Sequence, residues 1–187
     1  LTPVSGPSDG GTNVTLEFSV DLEEDSTLAY SCSFGDVELI SAKVLARGVV
    51  QCVSPRSRIS GPRFVRLSMN SGVDYSNALQ FDYVQTIRVI SMNPTRGPYQ
   101  GGTVVTVYGS NFEHTMSVAC VFGEIASVEA RFVSSEQVTC TTPAVATPGT
   151  LPGVVTTNGY DQSSQARFEF FGVAQIRSVS VSTSPPI

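Results

Sequence analysis

Gly97-Pro98-Tyr99-Gln100-Gly101-Gly102-Thr103-Val104-Val105-Thr106-Val107 reads as a glycine-punctuated turn feeding a strand, and the chain has already used most of it once. Gly6-Pro7-Ser8-Asp9-Gly10-Gly11-Thr12 carries the same glycines, proline and threonine at an offset of 91 residues. Working outward, Cys32-Ser33-Phe34-Gly35 returns as Cys120-Val121-Phe122-Gly123, and Val50-Gln51-Cys52-Val53-Ser54-Pro55 as Val138-Thr139-Cys140-Thr141-Thr142-Pro143, both at 88. Gly72-Val73-Asp74 matches Gly159-Tyr160-Asp161, and Phe81-Asp82-Tyr83 matches Phe168-Glu169-Phe170, both at 87. Self-similarity on this scale marks repeated structural units, and the drifting offset marks short insertions in surface loops. The expected organisation is two homologous domains at 1–84 and 85–171, joined by a very short linker, and a tail at 172–187.

Each unit reads as all-β. Val14, Leu16, Phe18 and Val20 alternate with Thr15, Glu17 and Ser19, the two-residue period of a half-buried strand. Val105 and Val107, then Val118, Cys120 and Phe122, do the same in the second unit. Further strands are expected at 37–46, 49–53, 63–69 and 79–84, with counterparts at 128–133, 137–141, 153–157 and 167–171. No segment carries a sustained 3.6-residue apolar stripe. Seven or so short strands per unit, spaced by turn residues, predict two tandem immunoglobulin-like β-sandwiches. The chain has no tryptophan, which excludes the Cys-Trp-Cys core of antibody domains.

Composition narrows the function classes. Of 187 residues, 41% are hydrophobic and 14% charged, too apolar for a disordered chain. Nowhere do apolar residues run for the roughly 18 positions of a membrane span, so no direct membrane insertion is expected. The chain opens on Leu1 without a charged and then apolar leader, which reads as a processed product or a fragment. Net charge is −5 and Lys43 is the single lysine, so the basic stripe that nucleic-acid binding requires is not expected. His114 is the single histidine, in the polar run Ser110-Asn111-Phe112-Glu113-His114-Thr115, and reads as a solvated loop residue. Neither a nucleophile elbow nor a phosphate-binding glycine loop occurs, so no enzyme and no cofactor are expected. Asp21-Leu22-Glu23-Glu24-Asp25 offers oxygen ligands but lacks the spacing of a known calcium loop.

The motif residues of the second unit are Asn93 to Phe112, Cys120 to Gly123, and Val138 to Pro143. Together they resemble the IPT/TIG domain, an immunoglobulin-like fold. The first unit shares the resemblance through Gly6-Pro7, Gly10-Gly11-Thr12, Cys32 to Gly35 and Cys52 to Pro55. It departs where Phe18-Ser19-Val20-Asp21 replaces the glycine and Asn-Phe of the motif. The resemblance implies a fold more than a function, because its motifs are turn and core residues. The family includes ectodomain modules of plexin-type and growth-factor-receptor-type proteins. It also includes dimerisation domains of some transcription factors and accessory domains of some polysaccharide-degrading enzymes.

Four cysteines allow three pairings, and the repeat selects one, because each unit holds its own pair 20 residues apart. Cys32–Cys52 and Cys120–Cys140 are the expected disulfides. Zinc is the competing reading, without the C-x2-C knuckles it favours. Paired cysteines in small β domains imply an extracellular or cell-surface location. Asn13-Val14-Thr15 is a glycosylation sequon consistent with it.

The two ends suggest a partner. Ile87 to Pro94 precedes the second Gly-Pro motif as a strand, whereas only Leu1-Thr2-Pro3 stands in the matching place of the first. Ile176, Val179 and Val181 in the tail match Ile87, Ile90 and Met92 at an offset of 89. Two explanations compete. Either the chain is an excerpt of a longer tandem array, or the tail strand of one molecule completes the next at an acceptor edge formed by Leu1 and Val4. The second arrangement does not close and builds a filament by head-to-tail strand addition. The leading expectation is therefore an extracellular structural or adhesive protein whose partners are other copies or neighbouring repeats. The alternative is a ligand-binding or spacer segment of a receptor ectodomain, and an accessory domain of a secreted carbohydrate enzyme is third.

Overall fold

The computed structural model describes residues 1–20, 22, 30–35, 39–114, 118–124 and 127–174. These residues form sixteen strands and no helix. The first eight are β1 (Ser5–Pro7), β2 (Asn13–Glu17), β3 (Ser31–Phe34), β4 (Ile40–Ser41), β5 (Lys43–Ala46), β6 (Val49–Val53), β7 (Gly61–Ser68) and β8 (Leu79–Val84). They build a sheet ordered β1-β8-β7-β3-β4 and a second ordered β2-β6-β5. The other eight are β9 (Arg88–Asn93), β10 (Arg96–Pro98), β11 (Val104–Ser110), β12 (Ala119–Phe122), β13 (Val128–Ser134), β14 (Gln137–Thr141), β15 (Gly149–Thr156) and β16 (Ala166–Phe171). Their order is β10-β16-β15-β12-β13-β14-β11-β9.

The two layouts are closer than the strand count suggests. β13 pairs with β12 through Glu129↔Ala119 and Val128↔Cys120, then with β14 through Ala130↔Cys140. β4 and β5 make the same passage between sheets in two pieces, with Ile40↔Cys32 and Lys43↔Gln51. The stretch expected as one strand at 37–46 therefore crosses from one layer to the other at Ala42, whose amide donates to Tyr30. The short Gly-Pro strands β1 and β10 were absent from the sequence expectation. Each runs parallel to the last strand of its unit, β8 or β16, at the margin where proline is tolerated.

Two hydrophobic clusters hold these layers together. One gathers Val14, Leu16, Cys32, Phe34, Val50, Cys52, Val65, Phe81 and Tyr83, the other Val105, Val107, Cys120, Phe122, Val138, Cys140, Val155, Phe168 and Phe170. The disulfides Cys32–Cys52 and Cys120–Cys140 cross between the layers, each with Cα atoms 6.3 Å apart. Where an antibody domain uses tryptophan, each unit uses three rings in edge-to-face contact. Phe34, Phe81 and Tyr83 have centroids 5.1–6.5 Å apart, and Phe122, Phe168 and Phe170 4.9–6.0 Å. Tyr83 differs from Phe170 by a hydroxyl, which donates to the Pro55 carbonyl at 2.9 Å. Burial pushes that hydroxyl up to about 12, against the smaller opposing pull of Ser54 and Arg63.

The opening motif is explained by one repeated lock. Gly11 donates to the Ser54 carbonyl, Ser54 donates to the Thr12 carbonyl, and the Thr12 amide donates to Ser54 Oγ. Gly102, Thr142 and Thr103 repeat all three bonds. Gly10 and Gly101 turn into this lock at φ of 78° and 82°, and a β-carbon on either would press on backbone at about 2.7 Å. The glycines, the threonine and the Ser/Thr-Pro after the second cysteine thus recur together because they are one structural element.

Candidate functional site: the joint between the two units

Val84-Gln85-Thr86-Ile87 runs from the first core to the second, and both sides grip it. Ser8 donates to the Val84 carbonyl at 2.7 Å, and the Asp9 amide donates to Thr86 Oγ1 at 3.2 Å. From the other side, Asn111 Nδ2 donates to the Thr86 carbonyl at 2.8 Å. Asn111 holds φ of 67°, a left-handed conformation asparagine tolerates better than most residues. Arg88 pairs with Asp9 at 3.6 Å on the surface, a contact worth little by itself.

The loop after β15 completes the joint. Asn158 Oδ1 accepts the amides of Tyr160 and Asp161, and Asn158 Nδ2 donates to Asp161 Oδ2 at 2.8 Å. The same Nδ2 donates to the Ser5 carbonyl of β1 at 2.8 Å. Thr12 Oγ1 donates to Asp161 Oδ2 at 2.8 Å, across 149 residues of sequence. Thr12 is fully buried, while its counterpart Thr103 is half-buried. Hydrogen bonds to a partly buried carboxylate are stronger than neutral ones, so this clasp is the main polar tie between the units. The cleft beneath it, lined by Pro7, Val84, Ile87 and Val155, holds about 50 Å³. Small-molecule pockets run to several hundred Å³, so this cleft is too small for an organic ligand.

Sequence reading found Gly159-Tyr160-Asp161 as a repeat but gave it no role, and Thr12, Asn111 and Asn158 were missed as contact residues. The available signal was Asn158 preceding the matched triplet, as Asn70 precedes Gly72-Val73-Asp74. Spacing alone does not show that this polar turn faces a neighbouring unit.

The expected assembly residues fall in different places. Ile176, Val179 and Val181 lie outside the described residues, as do Asp21, Glu23, Glu24 and Asp25 of the acidic run. Leu1 packs half-buried against the first core, and Thr2 exchanges backbone hydrogen bonds with Thr15 at 2.8–2.9 Å. This bridge occupies the place that Asn93↔Thr106 holds between β9 and β11. Val4 is not at that edge. Its carbonyl accepts from Asp82 in the other sheet and its side chain is exposed, because the chain has already crossed over at Pro3.

Gly109 and Phe18 explain the first unit's departure from the motif. A β-carbon on Gly109 would overlap the Arg88 carbonyl and the Phe112 ring. The first unit places Phe18 at the matching position, half-buried against its own core. Its phenyl ring supplies bulk there, and Leu22 is buried close behind in sequence. Asn13 is exposed at the start of β2, and His114 is exposed with its ring edge-to-face on Phe132 at 5.3 Å. Among the described residues, no group of three or more metal-ligating side chains converges.

Residues 87–170 match the IPT/TIG domain family model. The chain is 29% identical over 190 residues to human plexin-A2, covering 96% of itself and 10% of the relative. It is 27% identical over 133 residues to human plexin-A4, covering 66% of itself and 7% of the relative. Among solved structures, the plexin A4 full extracellular region aligns over 92% of the chain and 15% of its own length, at TM-score 0.51 and 22% identity. The chain thus spans about a tenth of the curated relatives it matches. Similarity to plexins and the two disulfides place it outside the cell or at the cell surface. Residues 87–170 thus form an IPT/TIG domain, an immunoglobulin-like fold, and the first unit repeats its motifs.

Proposed function

We propose that the chain is a non-enzymatic spacer segment of a cell-surface receptor ectodomain, holding the domains at its two ends at a fixed separation and angle. The observation that carries this reading is the clasp in which Asn158 and Asp161 grip Ser5 and Thr12. A short linker bonded from both sides, with a second tie through a distant loop, resists bending as a flexible linker does not. Similarity to plexin ectodomains supports the same reading. The boundaries near 84 and 171 are the units of this spacer, and neighbouring protein domains are its partners. Asn13, exposed on an outer strand, is available to carry a glycan.

Head-to-tail strand addition has one observation in its favour. Beyond Thr2↔Thr15, the edge of β2 has no partner strand among the described residues, whereas β9 covers β11 as far as Ser110. Phe18 argues against it. A strand entering as β9 does brings a carbonyl against residue 109, where only glycine leaves room, and Phe18 carries a β-carbon there. Light scattering over a concentration series separates the two readings. The spacer remains monomeric with or without residues 174–187. Concentration-dependent growth of the intact chain, lost on that truncation, supports strand addition and defeats the spacer as the primary role.

A further inference from the structure

A trough on the first unit collects arginines that the sequence disperses. Arg56 and Arg58 project from the segment after β6, and Arg63 and Arg66 from β7, around a volume of about 600 Å³. Ser33, Ile59 and Phe64 complete its lining, with Ile59 and Phe64 largely exposed. Most of this charge is unspent among the described residues. Arg56 has one distant, exposed ion pair to Asp9 at 3.9 Å, and Arg63 donates to the Pro62 carbonyl at 2.8 Å.

The sister unit shows that the fold does not require these side chains. The positions matching Arg56, Arg58, Arg63 and Arg66 are Ala144, Ala146, Leu151 and Val154. Register confirms the match on the sheet, since Ser33↔Arg66 corresponds to Val121↔Val154. Four arginines therefore line one trough of one unit, in a chain of net charge −5. Overall charge repels polyanions, so attraction at this trough is local.

We propose that this trough binds an extended sulfated glycan. Guanidinium forks match the planar oxygen pairs of sulfate and carboxylate, and they do so better than ammonium groups. An open trough with charges spread along it suits a polymer bearing repeated anions rather than one enclosed small anion. Phe64 and Ile59 offer apolar surface for the faces of sugar rings between the charged groups. The extracellular location excludes nucleic acid as the ordinary occupant and leaves glycans as the abundant polyanions. This role lies beyond that of a spacer, and of the four arginines Arg56 reaches the joint, through Asp9.

The test titrates the full chain with a heparin octasaccharide by calorimetry, beside a desulfated octasaccharide and a glutamate octapeptide. The sulfated probe binds, weakens steeply with added salt, and loses about tenfold or more in affinity for R58A/R66A. R131A/R167A, which removes two arginines of the second unit, retains full binding. Thermal unfolding of both variants at the temperature of the intact chain shows that the fold is kept. Absence of binding to the sulfated octasaccharide at physiological salt overturns the proposal. Equal binding of the glutamate peptide, or undiminished binding by R58A/R66A, overturns it too.

Discussion

In the second unit Asn158 holds Asp161 while both side chains reach Ser5 and Thr12. In the first unit Asn70 Nδ2 donates to Asp74 Oδ2 at 2.9 Å and the Asp74 amide donates to Asn70 Oδ1, yet both residues stand exposed. The supports match as well, since Gly72 donates to Ser68 Oγ and Gly159 to Thr156 Oγ1. Ser76 and Ser163 return to Leu67 and Val155 in the same way. One fold therefore makes the same polar loop twice, and only the presence of a neighbour turns it into a joint. The arginine trough is the converse case, an equivalent surface given different side chains in the two units.

Breaking the cores tests whether the units are as alike inside as they are in outline. Phe81→Ala and Phe168→Ala each remove a fully buried ring and should cost about 3–5 kcal/mol, with the other unit's transition unchanged in calorimetry. Removing one disulfide, by Cys32→Ser/Cys52→Ser or Cys120→Ser/Cys140→Ser, should cost about 3 kcal/mol in the unit that carries it.

Gly101→Ala should cost about 1–3 kcal/mol, because it meets both a positive φ and the backbone of Pro143 and Ala144. Asp161→Asn should loosen the joint by roughly 1–2 kcal/mol, while Asp74→Asn stays within about 0.5 kcal/mol of the parent. Equal effects of the last two substitutions would erase the distinction between the loops.

Tyr83 against Phe170 gives a pH test. The Tyr83 hydroxyl is raised from 10.0 to about 12, so the folded state holds a proton that the unfolded state releases first. Its contribution is intact below pH 10 and declines as pH rises from there through about 12. Tyr83→Phe should remove that alkaline decline from the first unit's unfolding transition, with the second unit serving as the internal control.

The all-β class and the repeat were legible because the motifs are local. The glycines, the threonine and the Ser/Thr-Pro that closes the lock lie in short runs whose recurrence needs no structure to see. The cysteine pairing was legible for the same reason, equal separation in equal surroundings. The joint was not, because Thr12 and Asp161 are 149 residues apart and nothing in either run announces the other. The arginine trough escaped because its side chains come from a loop and a strand interrupted by Ser57 and Val65, so the charges look scattered in one dimension. Val4 lies close to Leu1 in sequence, yet the crossing at Pro3 separates them.

Backbone nitrogen relaxation of the intact chain, beside Asp161→Asn, bears most directly on the spacer. A fixed joint makes residues of both units report one common rotational diffusion tensor, and Asp161→Asn should split it into two. Two independent tensors in the intact chain, or one tensor unchanged by Asp161→Asn, would contradict the clasp as the element that fixes the units.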